Sequence, residues 1–399
     1  MTYQGFRTRA RCKIVVDGDD VTKAFDPHLI SVQVTTTSDA TQADRAQIEL
    51  DDRDGRLAIP PDEAPVEVSL GWTNESLGVV FTGQMEEIES GFSRRGGGRR
   101  LWIVAKGIDA AGLGRAHFRQ SWGDGQGEEV SLEDVLKKSA EMAGGIQMKV
   151  SPSMRDIKRK YWAQDESFHH LGMRLARELG GLFKVTGQTA TFVNMTDGIN
   201  ADGEEMGTVE AVWGENMIGW RIKPFVARPQ AQTAAASHFD RAIGAWGELE
   251  KAIGGDLPFG RSAAIAGLPG PAPNKQTADQ WTVGLTEASI LKRGMGFVML
   301  NGEPAALPYG RVSVKGARAG VDGLYSIEEV EHLYSRSGFI TRLNVNNPRP
   351  TANEIVYGEK WGWVKPTARQ ERLAAERQAR EEAQSLPPAP PEEDEGVMV

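Results

Sequence analysis

The sequence predicts an α+β fold that is mainly β: two related barrel-like domains bracket an α+β domain, followed by a helical and then disordered C-terminal tail. Three observations carry this. Short alternating apolar runs between turn residues fill both ends of the chain, and helical periodicity is concentrated between them. A strand–turn–strand pattern starting at Met85 also recurs at Ile327. The boundaries that follow are 1–115, 116–204, 205–350 with a helical and looped insertion at about 231–293, and 351–399. A single core stops growing at about 250–300 residues. A chain of 399 residues is therefore expected to hold at least two domains.

Lys13–Val16 runs into the turn cluster Asp17–Asp20, and Leu29–Thr37 is β-branched with Ile30, Val32 and Val34 on one face. Ala46, Ile48 and Leu50 alternate with polar residues before the turn Asp51–Gly55. Val66, Val68 and Leu70 alternate before Gly71, and Leu77–Phe81 and Leu101–Ala105 complete the first set of strands. In the middle, Ser131 caps a helical stripe through Leu132, Val135, Leu136 and Ala140 that Gly144-Gly145 stops. A second helix is predicted over Asp165–Leu179, with Phe168, Leu171, Leu175, Leu179 and Leu182 at spacings of three and four. Gly180-Gly181 ends it, and Leu182–Val185 with Ala190–Val193 read as a hairpin around Gly187-Gln188. Ala231–Ile253 and Thr277–Arg293 are predicted helices flanking the Pro/Gly-rich loop Leu257–Pro273. Strands return at Gly296–Leu300, Arg311–Val314, Leu324–His332 and Phe339–Val345.

The repeat matches Met85-Glu86-Glu87-Ile88-Glu89 to Ile327-Glu328-Glu329-Val330-Glu331. At the same offset, without a gap, Phe92-Ser93-Arg94 falls on Tyr334-Ser335-Arg336, and Leu101 and Ile103 fall on Leu343 and Val345. Ala58-Ile59-Pro60 resembles Ala306-Leu307-Pro308 once a gap is allowed. Duplication of a β domain accounts for this agreement in strand–turn–strand order.

Composition bounds the function. The chain holds 46 glycines and 20 prolines, about one residue in six against about one in eight usually, which fits turn-rich β structure. One cysteine, Cys12, closes no intrachain disulfide and builds no multi-thiolate zinc site. No apolar run approaches the length of a bilayer-spanning helix, and Met1–Lys13 lack the apolar segment of a secretory leader. The reading is therefore a soluble chain without an integral membrane segment. The net charge of −9 argues against a protein that coats nucleic acid. Its distribution is patchy: Glu392–Glu395 carry four negatives, and seven basic residues against Asp109 alone lie between Arg94 and Arg119. In the tail, Arg372–Glu376, Glu376–Arg380 and Arg377–Glu381 support a helix over Arg369–Gln384 by little more than about 1 kcal/mol. Leu386–Pro391 and the acidic run that follows should be extended and solvated.

No catalytic, cofactor-binding or metal-binding set emerges. His169-His170 is the first suspect, but on the helical wheel His170 faces solvent beside Glu166 and Arg177, and the His-Glu-x-x-His pattern is absent. Asp51–Gly55 resembles a calcium loop only superficially, because its first and twelfth positions would be Leu50 and Pro61. Gly123–Gly127 lacks the Lys and Ser/Thr of a phosphate loop and reads as a linker, with no strand feeding it. Cys12 lies between Arg11 and Lys13 but has no neighbouring His or Asn for a dyad. On the acidic strands, strict alternation places Glu86 with Ile88 on one face and Glu87 with Glu89 on the other. That is a solvated or channel-lining face rather than a glycosidase pair.

The ordered series Val15–Thr22, Leu29–Val32, Ala43–Leu57, Ile59-Pro60, Val68–Trp72 and Phe81–Gly83 resembles the opening of the phage late control protein D family. Gln120–Trp122, Gln164–Leu171, Leu175–Gly180 and Phe183–Val185 resemble its α+β domain. Leu291–Gly294, Val321–Ile327, Glu329–His332 and Gly338–Leu343 resemble its third part. The resemblance spans Lys13–Val345, while His169-His170 and the tail after Pro366 depart from it. These are baseplate hub proteins of contractile tails, related to the N-terminal part of type VI secretion spike proteins. The resemblance implies a non-enzymatic homotrimer whose barrel-like tube domains make a pseudo-sixfold ring between the tail tube protein and a trimeric spike protein. It implies no cofactor and no specific nucleic-acid binding, with a channel wide enough in principle for DNA to pass. The resemblance further implies contacts with tape measure and baseplate wedge proteins, assembly in the host cytoplasm and residence in the virion's tail baseplate. The competing expectation is a tail-associated peptidoglycan hydrolase.

Overall fold

In the computed structural model, described residues run from 9 to 349, apart from 39–41, 60, 62, 94–97, 108–115, 124–126, 187, 196–197, 224–232, 241–243, 254–264, 269, 292–293 and 319. The expected tail at 351–399 lies outside them.

The first part contains β1 (Ala10–Val16), β2 (Asp19–Asp20), α1 (Thr22–Phe25), β3 (Leu29–Thr37), β4 (Arg45–Asp51), β5 (Pro65–Trp72), β6 (Gly78–Ser93) and β7 (Gly98–Lys106). The middle holds β8 (His117–Trp122), β9 (Val130–Ser131), α2 (Leu132–Met142), β10 (Gln147–Val150), α3 (Pro152–Arg155), β11 (Lys158–Arg159), β12 (Trp162–Ser167), α4 (Phe168–Leu179), β13 (Gly181–Thr186) and β14 (Thr189–Asn194). Then come β15 (Thr208–Val212), β16 (Met217–Lys223), β17 (Thr233–Asp240), β18 (Ala245–Ala252), β19 (Ile265–Ala266) and α5 (Lys275–Leu291). The last strands are β20 (Met295–Asn301), β21 (Arg311–Lys315), β22 (Gly323–Ser335) and β23 (Gly338–Arg349).

The fold is mainly β, as expected. Strands from both ends join one 13-stranded sheet in the order β16-β20-β23-β22-β3-β4-β7-β6-β5-β1-β2, with β21 on β22 and β15 on β21. No closed barrel forms among the described residues. The first part buries Val32, Val34, Ile48, Val68, Leu70 and Ile103, and the last buries Val298, Leu300, Val312, Ile327, Val330 and Leu343. Between them, α2 and α4 pack Leu132, Leu136, Phe168, Leu171 and Leu175 against the three-stranded sheet β10-β14-β13 through Phe183 and Phe192. Gly172 allows that approach, since a Cβ there would lie 2.5 Å from the Phe183 ring.

Several expectations require correction. Within the helix expected over Ala231–Ile253, Thr233–Asp240 and Ala245–Ala252 are instead the antiparallel strands β17 and β18. Ala234-Ala235-Ala236 has helical propensity, but these small residues form a strand on which α5 packs, with Ala236 against Ala278 and Trp281. The helix expected from Asp165 starts at Phe168. Trp162–Ser167 instead pairs with β8, alternating buried Trp162 and Gln164 with exposed Ala163 and Asp165. Ser167 Oγ then accepts the His170 N–H at 3.3 Å as the N-cap. Leu182, counted in the helical stripe, belongs to β13. A strand, β8, does feed the Gly123 turn, while α2 starts only after β9. In β3 a register shift between Leu29 and Ser31 turns Ile30 away, leaving Leu29, Val32 and Val34 buried. Ser131 caps α2 as expected, accepting the Asp134 N–H at 3.1 Å.

Candidate functional site

The feature with the most built-in specificity is the duplicated sheet. In β6 the pairing with β7 shifts between Met85 and Glu87, and in β22 the pairing with β23 shifts between Ile327 and Glu329. The same bulge therefore occurs at matching positions, with Glu86 and Glu328 as the extra residues. Ile88 pairs with Ile103, which pairs with Ile48, and Ile48 with Val32. The second copy reads Val330, Leu343, Val298 and Trp220. Even the shift at Leu29/Ser31 has its counterpart at Met217/Gly219. Upstream, the Met85 N–H donates to Ala64 O at 2.9 Å, and the Ile327 N–H donates to Gly310 O at 2.9 Å. Strands β3-β4-β7-β6-β5 thus correspond to β16-β20-β23-β22-β21.

This register corrects the ungapped alignment. Ser93 pairs with Gly98 but Ser335 pairs with Gly338, so the second turn is two residues shorter. Ile103 falls on Leu343 and Leu101 on Thr341, rather than on Val345 and Leu343. The bulge also corrects the strict alternation assumed for the acidic strand. Met85 and Ile88 both contact the core, three residues apart, while Glu87 and Glu89 are exposed.

The polar face carries mixed charge. Glu86 pairs with Lys106 and Glu49 with Arg100. Ser31 Oγ donates to Glu49 at 3.1 Å, Gln33 Nε2 to Glu331 at 2.6 Å, and Asn344 Nδ2 to Glu329 at 2.6 Å. The Arg342 guanidinium lies 4.2 Å from the centre of the Phe297 ring. At the seam between the repeats, His332 is fully buried with its Nδ1 2.9 Å from Thr341 Oγ1, and burial pushes its pKa down to about 3. Trp72 Nε1 donates to Gly302 O at 2.9 Å across the two halves.

The remaining suspects have structural partners. His170 is exposed, with Nδ1 3.2 Å from Ser167 Oγ, and Glu166 binds Arg174 at 2.8 Å. In the Asp51–Gly55 turn, Asp51 binds Arg53 and Asp52 accepts the Leu57 N–H at 3.2 Å. Burial, with Asp26 adding to it, pushes the Cys12 thiol up to about 12, which leaves it protonated. Among the described residues no three His, Cys, Asp or Glu side chains converge on a metal position, and no helix is long and apolar enough to cross a membrane.

Residue typing missed one buried charged network. Glu178 binds Arg159 at 2.9 Å and Arg174 at 2.8 Å, and Trp281 Nε1 donates to it at 3.1 Å. Burial opposes its charge, but the two guanidiniums outweigh burial and hold the carboxyl below its usual range. The available signal was a carboxylate seven residues from Leu171, on the apolar stripe of α4.

Solved structures of phage tail proteins share this fold. The 43 kDa tail protein of prophage MuSo2 from Shewanella oneidensis superposes with a TM-score of 0.60 at 14% identity, covering 84% of this chain and 98% of that one. In sequence, the chain is a relative of phage baseplate hub proteins. It is 27% identical over 194 residues to the probable baseplate hub protein of Escherichia phage P2, matching 48% of this chain and 47% of that relative. The probable baseplate hub protein of Escherichia phage 186 is 32% identical over 111 residues, 28% of this chain and 27% of that relative. The matched segments thus span about half, or less, of these relatives' length. No family model matches the chain.

Proposed function

We propose that the chain is a structural baseplate hub protein of a contractile phage tail or a related injection machine. Three copies form a pseudo-sixfold ring joining the tail tube to a central trimeric spike, in the baseplate of the virion. The observation that carries this reading is the duplication: each chain holds two five-stranded halves with matching bulges and pairing. Two like modules per chain are what a trimer needs to meet a sixfold partner on one side and a threefold partner on the other. The sequence relationship to baseplate hub proteins supports the same reading. The role is mechanical rather than enzymatic. The suspected side chains are engaged in caps, turns and ion pairs.

The test is the solution mass of the purified chain, alone and with the spike protein of its own tail. A trimer that takes up one trimeric spike is expected. A persistent monomer that never joins a spike overturns the proposal, and clearing of a peptidoglycan zymogram would replace it with the hydrolase.

A further inference from the structure

The strands β17 and β18 form a hairpin with two unlike faces. One lies against α5, where Ala236 and Leu249, opposite each other, pack with Ala278 and Trp281. The other carries Phe239 directly opposite Trp246, with ring centres 5.4 Å apart. Trp246 is 66% exposed and Phe239 39%. Because side chains alternate along a strand, Glu248 and Glu250 share this outer face with Trp246. Both carboxylates are exposed, and among the described residues neither forms an ion pair. An exposed indole and phenyl beside two unpaired carboxylates suit an occupant that brings apolar and cationic groups together.

The chain itself holds such a segment. Residues 350–399 lie outside the described ones, and the sequence favours a helix over Arg369–Gln384. At about 3.6 residues per turn, Arg369, Leu373, Arg377 and Arg380 fall on one face of that helix, with Glu371, Gln378 and Glu382 on the opposite face. Leu373 is the only large apolar side chain of the segment. We propose that this helix folds back within its own chain and docks its leucine–arginine face on β17–β18. Leu373 then lies against Phe239 and Trp246, and Arg377 and Arg380 lie over Glu248 and Glu250.

Three observations favour the chain's own tail over another occupant. The first is spacing. Along β18, Glu248 and Glu250 stand about 7 and 13 Å from Trp246. Along the helix, Arg377 and Arg380 stand about 6 and 10 Å beyond Leu373, and the long arginine side chains cover the difference. The second is position. The tail leaves from β23, and α5, which carries the hairpin, also touches β23. The third is reach. The chain from Arg349 to Leu373 extends to about 80 Å, more than twice the width of a small domain. A helix of this length is marginal in isolation, and the docked face supplies the stabilisation that its internal ion pairs do not.

The test is cross-linking within the full chain. Ser237→Cys with Glu376→Cys sets one thiol on the outer face of the hairpin and one beside the leucine–arginine face, to be bridged by a short bismaleimide. Rapid intrachain cross-linking is expected, read as a linked peptide pair by mass spectrometry. Neither single variant should cross-link within the chain, since burial keeps the Cys12 thiol protonated. Adding Phe239→Ser with Trp246→Ser is expected to slow the reaction about tenfold. Glu248→Arg with Glu250→Arg should slow it roughly fivefold, and Arg377→Glu with Arg380→Glu should then restore it. An aromatic variant that cross-links as fast as its parent overturns the docking, because a loose tether then accounts for the bond. Mixing the two single variants tests the other occupant: covalent dimers formed as fast as the intrachain bond would put the tail on a neighbouring copy and overturn the assignment to its own chain.

Discussion

Glu178 is the residue whose loss should cost the α+β region most. Its carboxylate is the shared acceptor of Arg159, Arg174 and the Trp281 indole. Arg159 is itself buried, its guanidinium 4.4 Å from the centre of the Trp162 ring. Glu178→Gln keeps the shape and removes the charge, leaving a buried guanidinium without a counter-ion. Breaking one side of a buried pair costs about 3–5 kcal/mol, and that loss is expected in denaturant unfolding of this variant. Gly302 is a second sensitive position. A Cβ there would lie 2.0 Å from Phe339 Cδ1, in the cluster where Trp72 binds the Gly302 carbonyl. Gly302→Ala must displace the ring, and an overpacking cost of about 1–3 kcal/mol is expected, read as a lower unfolding midpoint.

At the scale of elements, the seam between the repeats should be acid-sensitive. His332 sits on β22 opposite Val34 of β3, and folding holds its pKa near 3 against an ordinary value of 6.5. The unfolded chain therefore takes up the proton at higher pH than the folded chain. This contribution to stability is complete above about pH 6.5 and falls as pH drops from there toward 3. Thermal midpoints measured across that window are expected to decline, and His332→Phe should flatten the decline. An unchanged slope in that variant would assign the effect elsewhere. Most elements were legible because one-sided burial imposes a period of two on strands such as β4 and β21. The bulges were not, because alternation alone has no place for Glu86 or Glu328; the cue was two core residues three apart in both repeats. The β17–β18 hairpin escaped because its alanines favour helix locally and strand only beneath α5. The seam between the repeats lies beyond any local pattern, since it pairs His332 and Tyr334 with Val34 and Val32, far away in sequence.

For the whole molecule, the continuous sheet separates two surfaces: one buries Ile103 and Leu343, and the other carries Glu87, Glu89, Glu49 and Glu331. A ring built on this sheet as proposed would turn one surface inward, and the polar one suits a passage for DNA. Its carboxylates are interleaved with Arg100, Lys106 and Arg342, so the face neither holds phosphate nor strongly repels it. Non-specific DNA binding grows with the number of phosphates that basic side chains neutralise, and it weakens steeply with salt. The chain is therefore expected to bind duplex DNA negligibly at physiological salt in an anisotropy titration. Glu87→Lys with Glu89→Lys removes two exposed carboxylates and adds two cations beside Lys106 and Arg100, so measurable binding that disappears as salt rises is expected. Equal, undetectable binding by both proteins would mean that this face is not what governs passage of a polyanion.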